Sequence, residues 1–131
     1  MRPEPQPDMV WLLFSPSGRI SGLTFFKSLV LWMALFGVVT MQMIANREDS
    51  VSLGLWSLVF IVLMLVWILS AIMLSIKRLH DAGWSGPWVL LLFLPVVGFL
   101  ALLALVLMGS DGPNDFGAQS DRPARNWGIR T

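Results

Sequence analysis

Three long apolar runs fill most of the sequence and leave few folds open to it. They cover residues 28–45, 51–76 and 87–108, and short polar segments separate them. The hydrocarbon core of a bilayer, about 30 Å thick, requires roughly 20 apolar residues of helix. Each run is therefore close to, or above, the length that crosses a membrane. We expect an all-α integral membrane protein with three apolar helices.

The composition supports a lipid environment and excludes several functions. Hydrophobic residues make up 56% of the 131 residues and charged residues 13%, against about 45–50% and about 25% in soluble domains. A soluble chain of this size could not bury so much apolar surface. The net charge of +1 gives no basic field for nucleic acid. No cysteine is present, which excludes disulfides and thiolate sites. We expect membrane lipids as partners, no nucleic acid and no cofactor.

The segments outside the runs differ from each other in character. Residues 1–27 combine a proline-rich tail with an apolar stretch interrupted by Pro16 and Gly18, which suits the membrane interface better than a span. No cleavable signal peptide is evident, so we expect the first span to act as an uncleaved anchor. Residues 109–131 are polar and rich in turn formers, which predicts an exposed C-terminal tail. The transmembrane domain is then 28–108.

The third run, residues 87–108, allows two topologies because Pro95 and Gly98 lie near its middle. If it crosses, the nine Lys and Arg divide five to four between the two sides; if it re-enters and returns, they divide eight to one. The positive-inside rule therefore favours re-entry. Length favours a crossing, and Val96 and Val97 offer no side-chain partner for backbone groups at membrane depth. We expect a kinked crossing.

The segment KRLHDAGWSGPW, residues 77–88, follows the second run and contains the only histidine. On a continued helix, Asp81 lies four residues after Lys77 and three after Arg78, and both spacings permit contact. The structural interpretation is a polar helix end. The functional interpretation makes Arg78, His80 and Asp81 a cluster for protons or anions, since histidine titrates near neutral pH. The structural interpretation is favoured.

A second polar segment, GSDGPNDFG at residues 109–117, follows the third run. Its carboxylates could bind a hard cation, but the spacing does not fit an EF-hand loop and no Glu closes it. Glycine, proline, Asn and Asp are the residues that turns require. We expect a structural turn and no metal site. The candidate turn residues are Gly112, Asn114, Phe116 and Gly117.

The order of four segments is more specific than any one of them. In chain order they are LFSPSGRISGLTFF, KRLHDAGWSGPW, LPVVGF and GSDGPNDFG, which lie between residues 13 and 117. This arrangement resembles the bacterial inner-membrane family catalogued as domain of unknown function 805. The resemblance implies a small helical inner-membrane protein with no established activity and no catalytic residues. The chain departs from the family pattern at Gly22, where members often carry a basic residue, and after Gly117.

We therefore expect a multi-pass, non-enzymatic component of the bacterial inner (plasma) membrane. Its juxtamembrane polar turns would bind lipid headgroups, a second copy of the chain in a homo-oligomer, or another membrane partner. The candidate cluster on the cytoplasmic side consists of Arg19, Arg78, His80 and Asp81. The alternative is a subunit of a small oligomeric transporter or channel, although the spans lack central ionisable residues. An enzyme would need His80 and Asp81 to act together, and adjacent helix residues do not face each other.

Overall fold

The computed structural model describes residues 6–124, in which the regular elements are all helical. In chain order they are α1 (Met9–Phe14), α2 (Gly22–Ala45), α3 (Ser50–Asp81), a 3-10 helix named η1 (Gly86–Phe93) and α4 (Val97–Leu107). The predicted all-α class is confirmed. Two of these helices, α2 and α3, are long and apolar enough to cross a membrane, with mean hydropathies of 1.9 and 2.9 over an 18-residue window of each.

The helix α2 begins earlier than the first apolar run predicts. Ser21 caps it, because its hydroxyl accepts the Thr24 N–H at 3.2 Å. Six helical residues consequently precede residue 28, where the first span was expected to begin. A serine in this position satisfies one of the free N–H groups at the helix start. The first span is thus the C-terminal part of a 24-residue helix.

A short turn joins α2 to α3 and makes the two helices antiparallel neighbours. The Asp49 N–H donates to the Asn46 carbonyl at 3.1 Å. The Asp49 carboxylate then caps α3 by accepting the Val51 N–H at 3.3 Å and the Ser52 hydroxyl. The hydrogen bond from Ser52 lowers the pKa of the Asp49 carboxyl. Such a cap favours the ionised carboxylate and a sharp helix start.

Aromatic and small residues form the contact between α2 and α3. The Trp32 indole N–H donates to the Ser70 hydroxyl at 3.2 Å, and both residues are buried. The Phe36 ring contacts the edges of Phe60 and Trp67, with centroid separations of 5.4 and 5.9 Å. A buried indole needs a hydrogen-bond acceptor, and Ser70 supplies one while allowing the helices to approach.

The third apolar run is two helices joined by a sharp turn. The Val97 N–H donates to the Pro95 carbonyl and the Gly98 N–H to the Leu94 carbonyl, each at 2.6 Å. Val96, between them, has φ of +62°. At Gly98 the chain passes so close to η1 that a Cβ would lie 2.3 Å from the Leu92 carbonyl oxygen. We call η1, the turn and α4 the hairpin.

The prediction that residues 87–108 form one kinked crossing is therefore wrong. Both ends of the hairpin lie at the C-terminal end of α3. Its first residues follow that helix directly, and the Arg78 Nε donates to the Leu105 carbonyl at 2.7 Å near the other end. The turn finds its hydrogen-bond partners in its own backbone, which removes the objection to a turn at membrane depth.

The prediction of an exposed C-terminal tail is also wrong for residues 109–124, the part of it that the structure describes, because this segment packs against the rest of the protein. The Asp111 N–H donates to the Asp81 carbonyl at 2.7 Å, and the Asp121 N–H donates to the Arg19 carbonyl at 2.8 Å. The segment after α4 thus folds back over the end of α3. The remainder of the predicted tail, residues 125–131, and the first five residues of the chain lie outside the described part.

The short helix α1 lies beside the same end of α3. Asp8 caps it by accepting the Trp11 N–H at 2.6 Å. Several large side chains on α1 are exposed although they are apolar: Met9, Val10 and Phe14. A short helix with an exposed apolar side is what an interfacial segment requires.

Candidate functional site

Three segments meet at the C-terminal end of α3 and form what we call the polar cap: residues 17–21, 77–83 and 108–122. The sequence separates them by as much as a hundred residues, as in the contact between the Ser21 N–H and the Asp121 carboxylate at 2.9 Å. Both predicted residue sets, the charged cluster and the turn, lie within the cap. The re-entrant path of the hairpin brings them together.

Asp81 is the centre of the cap. Its Oδ1 accepts from the Arg19 Nε at 3.2 Å, and its Oδ2 accepts from the Arg78 Nη1 at 2.7 Å. The hydroxyls of Ser110 and Ser120 also donate to this carboxylate. The side-chain exposures are 1% for Arg19 and 0% for Arg78 and Asp81. We call these three residues the Arg–Asp–Arg cluster.

Arg19 connects the cluster to the loop after α4. Its Nη1 donates to the carbonyls of Gly112 at 2.8 Å and Gly117 at 3.0 Å, and its Nη2 donates to those of Asp81 and Asp111. A guanidinium has five N–H donors. With the Nε bond to Asp81, each of the five has an acceptor within the protein. No donor of Arg19 remains for an external anion in this conformation.

Arg78 joins the end of α4 to α3. Besides its bond to Asp81, it donates to the carbonyls of Leu105 and Met108. The last carbonyls of a helix lack partners within the helix. Arg78 supplies such partners, and Asp81 balances part of its charge. A cation that stabilises a helix end in this way has a structural role.

Lys77 has a role that the sequence analysis did not find. Its ammonium donates to the carbonyls of Trp11, at 2.6 Å, and Leu12, and lies 4.6 Å from the centroid of the Trp11 ring. The spacing of four residues permits a contact with Asp81, but the hydrogen bonds of the Lys77 ammonium go to α1. Lys77 instead attaches α1 to α3, through the C-terminal carbonyls of α1 and a cation–π contact.

His80 lies on another side of α3 from the Asp81 carboxylate. Its ring stacks on Phe116 with a centroid separation of 4.0 Å, and its Nδ1 is 3.3 Å from the Gly18 carbonyl oxygen. The His80 carbonyl accepts the Asn114 amide at 2.9 Å. His80 is thus packed between the N-terminal segment and the predicted turn. Three residues of the predicted cluster are in contact, because Arg19 and Arg78 both donate to Asp81. The fourth, His80, contacts Gly18 and Phe116 instead of the Asp81 carboxylate.

The predicted turn residues form a turn in the structure. The Asn114 N–H donates to the Gly117 carbonyl at 3.2 Å, and the Gly117 N–H donates back at 3.1 Å. The Asn114 side chain accepts the Phe116 N–H at 3.0 Å. The turn directs the carbonyls of Gly112 and Gly117 at Arg19. It therefore contributes two backbone oxygens, which no side-chain pattern reveals, in addition to the contacts of Asn114 and Phe116 with His80.

The buried polar groups of the cap are paired with one another inside the protein. Every buried side-chain nitrogen and oxygen in the part of the chain that the structure describes has a hydrogen-bond partner. Among residues 6–124, no group of three or more His, Asp or Glu could hold a metal ion. A buried carboxylate between two guanidinium groups is stabilised by them and would be costly to separate from either.

Comparison with known proteins shows where this architecture belongs. The family model described as protein of unknown function DUF805 matches residues 13–118. The chain belongs to the DUF805 family. The matched region contains α2, α3, the hairpin and most of the polar cap, so the family pattern coincides with the fold described above.

Two relatives of this DUF805 protein come from Escherichia coli K12. Inner membrane protein YhaI is 42% identical over 55 residues, which are 41% of this chain and 47% of YhaI. The uncharacterized protein YiiR is 33% identical over 90 residues, 69% of this chain and 55% of YiiR. The chain thus spans about half the length of the curated relatives it matches. No solved structure matches it.

The family and the two long apolar helices place the protein in the bacterial inner membrane. The expected localisation and family resemblance are confirmed. The family carries no assigned activity, so the function must be argued from the cap and the helices beneath it.

Proposed function

We propose that this protein is a non-enzymatic, multi-pass component of the inner membrane that binds anionic lipid headgroups beside its polar cap. One observation carries the proposal: the Arg–Asp–Arg cluster is buried and bonded internally. The charged motif residues therefore build a fixed cap at the end of the spans. Recognition is left to exposed residues around it.

The proposed topology has two spans and one re-entrant hairpin. Of the described cations, one lies in the turn between the spans, Arg47. Those at the cap end are Arg19, Lys27, Lys77, Arg78 and Arg122. This asymmetry supports a cytoplasmic cap, because Lys and Arg accumulate in cytoplasmic segments. Anionic lipids give the cytoplasmic leaflet a negative surface potential, which would attract an exposed cap-side cation such as Lys27.

Aromatic residues support a position for the cap at the headgroup level. Trp84 and Trp88 are exposed and contact each other edge to face, with a centroid separation of 5.5 Å. They follow the end of α3 directly. Tryptophan favours the membrane–water interface because its ring is apolar and its N–H is polar. The exposed apolar side of α1 supports the same depth.

Lys27 is the residue that we assign to the headgroup. It is exposed on α2 near the cap, and its stem can extend the ammonium to the surface. Arg19 and Arg78 were expected to contact headgroups directly. In this proposal Lys27 takes that role, because the N–H groups of the two arginines have acceptors inside the protein. A lysine close to an anionic surface contributes about 1 kcal/mol, or roughly fivefold in affinity.

The test compares two variants that each lose one positive charge. The purified full chain in mild detergent is titrated with phosphatidylglycerol and phosphatidylcholine of identical tails, and bound lipid is counted by native mass spectrometry. We expect a preference for phosphatidylglycerol that falls roughly fivefold in Lys27→Gln. Arg47→Gln, at the opposite end of the spans, should leave it unchanged. No preference in the native chain, or equal losses in both variants, would overturn the proposal.

A further inference from the structure

An apolar cavity of about 420 Å³ lies beneath the polar cap, between α2, α3 and the hairpin. All three contribute to its walls. Residues that define it include Phe25, Trp32, Trp67, Ala71, Ser75 and Leu102. Its size falls within the range of about 300–1,000 Å³ that ligand sites occupy.

The walls of the cavity are held in place by contacts already described. The bond from Trp32 to Ser70 fixes one wall. Gly98 lines the cavity where α4 approaches η1 too closely for a Cβ. Arg78, one turn after Ser75, fixes α4 to α3 at the cap end. The cavity is thus a consequence of the hairpin and its attachment to α3.

The chemistry of the lining selects an apolar occupant. Apart from Ser75 and two tryptophan rings, the lining residues are aliphatic, phenylalanine or glycine. The Trp32 N–H is already donated to Ser70. A buried water needs two to four polar partners, and an apolar cavity of about 150 Å³ stays dry and accepts benzene. The cavity here, at 420 Å³, is almost three times that size.

The depth and the opening of the cavity indicate where the occupant comes from. On α3 its lining extends from Ser75 to Trp67, a rise of about 12 Å at 1.5 Å per residue. Half of a hydrocarbon core is about 15 Å. Two lining residues of the hairpin, Phe93 and Phe99, are 62% and 70% exposed. The cavity therefore spans the cap-side leaflet and opens sideways towards lipid.

We propose that this cavity binds one acyl chain of a phospholipid from the cap-side leaflet. The inference rests on the proposed lipid-binding function and names the part of the lipid that the fold accepts. A single chain fits a space enclosed on three sides by α2, α3 and the hairpin. A partner helix, about 10 Å across, would have to separate them.

The test fills the cavity from α3. Ala71 lines it, whereas Ala34 is exposed on α2, so Ala71→Trp and Ala34→Trp add the same bulk inside and outside. The full chain is purified from phosphatidylglycerol or phosphatidylcholine nanodiscs of identical tails, transferred to mild detergent and weighed by native mass spectrometry. We expect the native chain to retain one phospholipid. The fraction of chains with bound lipid should fall at least tenfold in Ala71→Trp and stay unchanged in Ala34→Trp.

The smaller variant Ala71→Leu keeps the test informative if the tryptophan disturbs the fold, and we expect an intermediate loss. Equal retention in all variants would overturn the inference, as would a lipid-free dimer or a bound free fatty acid alone. The experiment distinguishes failure of the acyl-chain proposal from failure of the headgroup proposal. Retention that depends on Ala71 but is equal for both lipids supports the cavity and contradicts the headgroup proposal. A phosphatidylglycerol preference unaffected by Ala71→Trp does the reverse.

Discussion

Asp81 carries the negative charge that pairs with two buried guanidinium groups, so we expect its carboxylate to dominate the stability of the cap. Asp81→Asn would leave Arg19 and Arg78 without their counter-charge. Breaking a buried ion pair costs about 3–5 kcal/mol, which corresponds to a fall in Tm of roughly 10 °C or more. Thermal unfolding in detergent would measure it. Asp115→Asn, at an exposed position in the loop after α4, is the control and should change Tm little.

Arg19 should not be replaceable by lysine, because an ammonium has three donors and no planar fork. In Arg19→Lys we expect the loop of residues 108–122 to separate from α3 while the spans stay intact. Hydrogen exchange would show it as faster exchange of the Asp111 and Asp121 amides, which donate to the carbonyls of Asp81 and Arg19. Arg47→Lys is the control. Unchanged protection of the loop would mean that Arg19 does not hold it.

Among the elements, the hairpin turn offers two substitutions that we expect to change Tm in opposite directions. Val96 has φ of +62°, a value that glycine adopts much more readily than a β-branched residue. We expect Val96→Gly to raise Tm. Gly98→Ala should lower it, since the added Cβ would lie 2.3 Å from the Leu92 carbonyl oxygen. Thermal unfolding in one detergent compares the two variants. A change of Tm in the same direction for both would contradict the turn geometry.

The hairpin also shows why part of the fold could not be predicted. The division of Lys and Arg indicated re-entry, but the length of the run and the absence of side-chain partners at Val96 and Val97 outweighed it. The partners are backbone carbonyls of Pro95 and Leu94, which have no sequence signature. The long helices themselves were predictable, because α2 and α3 are apolar over most of their length.

The candidate site was predictable in its charged residues and not in their partners. Arg19, Arg78 and Asp81 are conspicuous because cations and a carboxylate at helix ends interrupt an apolar sequence. The acceptors and donors that complete the site, such as the Gly117 carbonyl and the Ser120 hydroxyl, come from the predicted tail. Their contribution depends on the return of the hairpin to the end of α3.

In the whole molecule, the proposed topology requires the hairpin to return to the membrane face from which it enters. Two spans, a hairpin and a cap on one membrane face explain the shared location of both polar motifs. They also explain why the buried cluster is closed, and they would place the apolar cavity in one leaflet. A crossing would place the two motifs on opposite faces and remove the cap, the cavity and the proposed lipid site together.

The sidedness of three single cysteines tests this claim most directly, since the chain has none of its own. Glu48, Ser85 and Ala118 are exposed and can each be replaced. With a membrane-impermeant maleimide on intact spheroplasts, we expect Glu48→Cys to be labelled at once. Ser85→Cys and Ala118→Cys should be labelled only after permeabilisation. Labelling of Ala118→Cys without Ser85→Cys in intact spheroplasts would show a crossing and contradict the account.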